Sequence, residues 1–98
     1  MECTKNYLEE MLKSNYWEIR LAVAEQGYGL DILVNDVAWW VREEVARQGY
    51  GLDILVNDKH WEVRKAVAEQ DYRLDILIKD ENKIIRKIAK QRLKRKGN

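Results

Sequence analysis

The sequence predicts an all-α protein, a solenoid of about four units of 22 residues, each a longer α-helix followed by a short helix of α or 3₁₀ type. Three observations carry that expectation. The stretch QGYGLDILVND stands unchanged at Gln26–Asp36 and at Gln48–Asp58, and a worn copy, QDYRLDILIKD, follows at Gln70–Asp80, 22 residues on each time. Between the copies, apolar residues recur with a helical period. The chain has no proline and is punctuated by Gly27, Gly29, Gly49, Gly51 and Gly97, which suits helices that stop at left-handed turns.

Each unit begins at a phase marker. Ser14, Asp36, Asp58 and Asp80 align in register, and all are residue types favoured at a helix N-cap, where a side-chain oxygen accepts an orphan backbone N–H. The units therefore run 14–35, 36–57 and 58–79. In the segment after each marker, Val41, Val45 and Ala46, or Val63, Val67 and Ala68, fall at i, i+4 and i+5, one buried helical stripe. The column Ala24, Ala46 and Ala68 is expected where neighbouring helices come close. Gly27 and Gly49 then take the left-handed place after the helix, held by Asp71 in the third copy. The second glycine of each turn, Gly29 or Gly51, is expected to be less demanding, because Arg73 replaces it; the same replacement argues against a phosphate-cradling loop. Next, LDILVN and LDILIK place Leu52, Leu55 and Val56 on one face of a helix too short to persist alone. Packing against neighbouring units must hold it.

The ends read as caps on a single repeat domain, 1–98. Residues 1–13 form an N-terminal half-unit, in which NYLEEMLKS aligns with YGLDILVND and Glu10 stands for Ile32, Ile54 and Ile76. A face with no preceding neighbour is expected to turn polar. Residues 80–98 form a basic capping helix, where Lys90 holds the place of the alanine column, although RKIAKQ also reads as RKAVAEQ with one residue deleted.

From Ser14 to about Gln91 the chain resembles the leucine-rich repeat variant, a HEAT-like bacterial repeat. The resemblance is carried by Val41, Arg42, Val45, Ala46, Leu52, Leu55 and Asp58 and their equivalents 22 residues away. It implies a right-handed superhelix of alternating α and 3₁₀ helices. One member of that family carries an iron–sulfur cluster in a cysteine-rich N-terminal region; this chain has no such region, so the resemblance implies no cluster here.

Composition narrows the function classes. At 98 residues the chain has room for one scaffold and little for an enzyme with a lid. Residues 1–78 carry 9 Lys+Arg against 15 Asp+Glu, a balance of −6, whereas 79–98 carry 9 against 2, a balance of +7. The body is acidic and the tail basic. The opening residues lack the apolar core of a secretion signal, and no later run approaches the roughly 18 apolar residues of a membrane span, so a cytoplasmic location is expected. With one cysteine, Cys3, and one histidine, His60, neither an internal disulfide nor a metal or cofactor site is expected.

Four features merit weighing as sites. Arg20, Arg42, Arg64 and Arg86 form a column, as do Asp31, Asp53 and Asp75 with Glu9 in the half-unit. A phosphate-binding arginine ladder is the functional reading; an Arg–carboxylate ladder between units is the structural one, favoured because every unit supplies an acid and arginine's fork suits it. Trp17, Trp39 and Trp61, with Tyr28, Tyr50 and Tyr72, are columns too. They would stack bases or hold a peptide if open, but Lys83 replaces Trp in the last unit, which favours packing. Trp40 breaks the repeat, since its equivalents are Glu18, Glu62 and Ile84. It is therefore expected off the core, dispensable for folding, and available to anchor a partner or a second copy. The tail, with Arg86, Lys87, Lys90, Arg92, Lys94, Arg95 and Lys96 among Ile84, Ile85, Ile88 and Leu93, reads as a capping helix, or else as a contact for nucleic acid or an anionic membrane surface. No catalytic constellation emerges: Glu43 with Glu44, and Glu9 with Glu10, are sequence neighbours about 100° apart on a helix, and His60 is expected to be solvated and catalytically idle. The expected function is a non-enzymatic binding or scaffolding module for another protein or for self-association. The alternative is a nucleic-acid-binding module working through the tail.

Overall fold

The computed structural model describes residues 4–97; Cys3 lies outside them. Among the described residues the protein is all-helical, with helices α1 (Thr4–Leu12), α2 (Trp17–Glu25), α3 (Leu30–Leu33), α4 (Trp39–Arg47), α5 (Leu52–Leu55), α6 (Trp61–Ala68), α7 (Leu74–Leu77) and α8 (Lys83–Gly97). None of these is long and apolar enough to cross a membrane. Helix α2 packs on α4, α4 on α6 and α6 on α8, while α3, α5 and α7 each lie against the longer helix that follows. The result is elongated, 47 × 25 × 17 Å.

The core follows the expected stripe. Val41, Val45, Ala46, Val63, Val67 and Ala68 are all buried, as are Leu33, Leu55 and Leu77 from the short helices. In the last helix Ile85 and Ala89 are buried and Lys90 is exposed. The 22-residue register thus runs on without a deletion, and the lysine takes the alanine place on a side that no described helix covers. Because Ala46 has no accessible surface, Ala46→Leu is expected to overpack the α4 contacts and destabilise by about 1–3 kcal/mol. Unchanged thermal melting in that variant would mean the contact is loose.

Each long helix from α2 to α6 ends the same way. The amide of Gly27 donates to the carbonyl of Ala24 and that of Tyr28 to Val23; Gly49 with Ala46 and Tyr50 with Val45 repeat the pair, as do Asp71 with Ala68 and Tyr72 with Val67. These paired bonds satisfy carbonyls left over at the helix end, and they need a left-handed residue between helix and turn. Gly27, Gly49 and Asp71 supply it with φ of 74°, 79° and 61°.

Three expectations are corrected. Ser14, Asp36, Asp58 and Asp80 are not N-caps, because the caps of α2, α4 and α6 are Tyr16, Ala38 and His60. Their side-chain oxygens instead accept the backbone N–H two residues on, as Asp36 Oδ1 does from Ala38 at 2.9 Å, in a turn ahead of the helix. The second glycine is the more demanding of the two, not the less. Gly29 and Gly51 also lie at positive φ, and a Cβ on Gly51 would meet Val34 Cγ2 at 2.6 Å, whereas one on Gly49 would meet nothing nearer than 3.7 Å. Arg73 does not relax this conformation but adopts it, at φ 47°. Finally, Ile32, Ile54 and Ile76 are exposed in every unit, so the polarity of Glu10 does not mark a lost neighbour.

Candidate functional site

The arginine column is a set of locks between successive turns. Arg42 donates from Nε to Asp58 Oδ2 at 2.7 Å and from Nη2 to Asp58 Oδ1 at 3.0 Å, while Nη1 donates to the carbonyl of Asp36 at 2.6 Å. Arg20 holds Asp36 and the carbonyl of Ser14 in the same way, and Arg64 holds Asp80 and the carbonyl of Asp58. Arg42 and Arg64 are 7% and 8% exposed, so these are buried charges with all three donor directions used. The expected Arg–carboxylate ladder exists, but with other acids than Asp31, Asp53 and Asp75. Those lie in the first turns of α3, α5 and α7 and are exposed, where a negative charge is favoured by the free amides of a helix start. Only Asp75 has an arginine, its own neighbour Arg73, whose fork draws the carboxyl down to about 2. Glu9 accepts from the Tyr28 hydroxyl at 3.0 Å. Asp80 carries opposing influences: burial pushes its carboxyl up, but the Arg64 fork and the Asn82 amide outweigh that and leave it lowered.

Aromatic rings form a second arrangement. Trp40 stacks on Trp17 with centroids 4.9 Å apart and on Trp39 at 4.6 Å, and Trp39 in turn stacks on His60 at 4.0 Å. Since Trp17 and Trp39 do not stack on one another, Trp40 has one on each face. It remains 42% exposed. The expectation that it lies clear of the packed columns is therefore corrected: packed helices sit about 8–10 Å apart, which leaves between successive tryptophans the thickness of one more ring. His60 has a structural place: its Nδ1 accepts the Glu62 amide at 3.1 Å and caps α6 while the ring covers Trp39. With two stacked pairs at about 0.5–1.5 kcal/mol each, Trp40→Glu is expected to cost about 1–3 kcal/mol. A melting temperature equal to that of the parent would restore Trp40 as a purely external residue.

The basic tail divides by face. Ile85 and Ala89 are buried, Ile88 packs against the core, and Ile84 and Leu93 are exposed. Arg92 pairs with Asp71 and holds its carboxyl below the usual range. Arg86 donates from Nη1 to the carbonyl of Asp80 at 2.6 Å. Lys83, Lys87, Lys90 and Lys94 are exposed and, at spacings of four, three and four residues, share one side of the helix. Lys96 and Arg95 are exposed near Asp71.

The most regular exposed apolar feature lies on the short helices. Ile32, Ile54 and Ile76, one from each short helix, are 58%, 51% and 40% exposed, each beside an exposed aspartate of the same helix. Shallow grooves open next to them, one lined by Ile54, Asn57 and Lys59 and its counterpart by Ile76, Lys79 and Glu81. The repeat itself showed these isoleucines to be constant; their exposure was the missing signal. The chain matches no protein-family model, and no curated protein or solved structure matches it.

Proposed function

We infer that the protein is a right-handed α-solenoid of about four 22-residue units, of the leucine-rich-repeat-variant kind, and that it serves as a non-enzymatic binding or scaffolding module for another protein in the cytoplasm. The alternation of long and short helices and an Arg–Asp lock recurring every 22 residues support the solenoid reading. The row of exposed isoleucines supports the binding reading. Apolar side chains kept at one exposed register, flanked by carboxylates, form a ridge that an amphipathic, basic segment of a partner fits. Trp40, in the first turn of α4, would offer a partner only the part of its ring that the stack leaves open.

A photo-crosslinking residue at Ile54, compared with one at Gln70, tests this. A saturable adduct from Ile54 alone, competed by excess unlabelled protein and lost when Ile32 and Ile76 become serine, supports the reading. Equal labelling from both positions removes it. The second reading, binding of nucleic acid through α8, is favoured by the aligned lysines Lys83, Lys87, Lys90 and Lys94. It requires affinity that falls steeply with salt; absence of RNA and DNA binding at low salt excludes it.

A further inference from the structure

The grooves beside the exposed isoleucines recur with the unit. The first is lined by Leu12, Lys13 and Ile32, the second by Val34, Asn35 and Ile54, and the third by Val56, Asn57 and Ile76, the same three places 22 residues apart. A ligand that fills one groove meets the next at the distance between units. Helices packed side by side stand about 8–10 Å apart, and Trp17 and Trp39, equivalent rings of successive units, lie 4.9 and 4.6 Å to either side of Trp40. A chain in polyproline II form advances about 3.1 Å per residue and returns to the same face every third residue, after about 9.3 Å. One turn of such a chain matches one unit.

An α-helix would meet the same spacing with one apolar residue in about seven, because it rises about 1.5 Å per residue. The chemistry of the grooves separates the two. A helix binds its own carbonyls, whereas a polyproline II chain leaves every carbonyl in want of a donor. The grooves hold Lys13, Asn35, Asn57, Lys59 and Lys79, donors whose side chains make no hydrogen bond or ion pair among the described residues. Most of the acids there are already engaged: Asp36, Asp58 and Asp80 by the arginine locks, Glu9 by Tyr28, Asp75 by Arg73 and Glu81 by Arg64 at 3.7 Å. Asp31 and Asp53, the neighbours of Ile32 and Ile54, are exposed and have no cation among the described residues.

We propose that the three grooves bind one continuous segment of a partner protein in polyproline II form, with an apolar residue at every third position and basic residues between. The proposal rests on the protein-binding reading above and names the partner's conformation and register. The apolar row fills the grooves beside Ile32, Ile54 and Ile76, and the basic row faces Asp31 and Asp53. The third row touches nothing and suits proline, which fixes φ and holds the residue before it extended. The lysines and asparagines of the grooves donate to the segment's carbonyls.

The probe is a peptide of four Leu-Pro-Arg repeats with blocked ends, titrated into the full chain. The side-chain amide resonances of Asn35 and Asn57 and the methyl resonances of Ile32, Ile54 and Ile76 are followed by NMR. Saturable shifts at all three grooves are expected, with binding roughly tenfold weaker for a peptide of the same composition whose leucines are grouped at one end. Ile54→Ser and Asn57→Ala change exposed side chains, so both should melt close to the parent while weakening the binding. Equal affinity for the regrouped peptide overturns the proposal, since charge attraction alone would then hold the segment. So does equal or tighter binding of a helix-forming peptide with leucine at every seventh position and the same charge. Absence of shifts with the periodic peptide, together with a specific Ile54 adduct, would remove this proposal and leave the protein-binding reading standing; absence of both would remove the two together.

Discussion

Asp58→Ala is expected to destabilise the protein by about 3–5 kcal/mol, the range for removing one partner of a buried ion pair. The carboxylate has two duties. It neutralises Arg42, which is 7% exposed, and it accepts the His60 amide at the entrance to α6. Alanine leaves the guanidinium buried with only the Asp36 carbonyl for company, and the backbone amide without its acceptor. For a domain of this size the melting temperature should fall by roughly 15 °C or more. A double-mutant cycle with Arg42→Ala separates the pair from its parts, and the double variant should lose clearly less than the two single losses added together. A loss near 1 kcal/mol in Asp58→Ala, as for an ordinary solvated cap, would show that water reaches Arg42. The same chemistry fixes the acid limit. The folded carboxyl of Asp80 lies below its usual value, so its contribution is complete above the unfolded pKa of about 3.9 and is lost as pH falls through the lower folded one. Stability should decline below about pH 4, and Asp80→Asn should decline less steeply there than the parent.

Gly51→Ala is expected to cost about 2–6 kcal/mol, from about 1–3 for a left-handed non-glycine residue and about 1–3 for overpacking. The second part comes from Val34, a β-branched side chain with little freedom to turn away, buried and 2.6 Å from where the new Cβ would stand. Gly49→Ala is the control, since it has comparable φ and no such neighbour. Equal melting of the two variants would remove the steric part of the argument. In the third unit Arg73 bears the left-handed strain, and its fork closes on Asp75 two residues later at 2.8 and 3.0 Å. That local ion pair offsets some of the cost where glycine is missing.

Much of the fold was legible because burial and backbone geometry leave direct marks on sequence. Val41, Val45 and Ala46 record a buried face through their period, and Gly27 and Gly49 record positive φ through the lack of a side chain. The partner of Arg42 was not legible. Asp53 and Asp58 recur with the same period, and repetition alone cannot say which of two equally regular acids is near. The distance between turns decides it. Trp40 was correctly marked as an exception to the repeat, yet its place depends on the gap between helices, a quantity that no alignment of units contains. Exposure of Ile32, Ile54 and Ile76 was hidden for a related reason: a constant apolar position is written identically whether a neighbouring unit or a partner covers it.

The reach of the locks bears on how quickly this chain finds its structure. Among the described residues, side-chain hydrogen bonds span at most 23 positions, and the locks span 16. Helix contacts join each long helix to the next one along. No large loop has to close before the first favourable contacts form, so the entropic barrier that slows proteins with distant pairings is small, and folding in microseconds to milliseconds is the natural regime. Any neighbouring pair of units could nucleate.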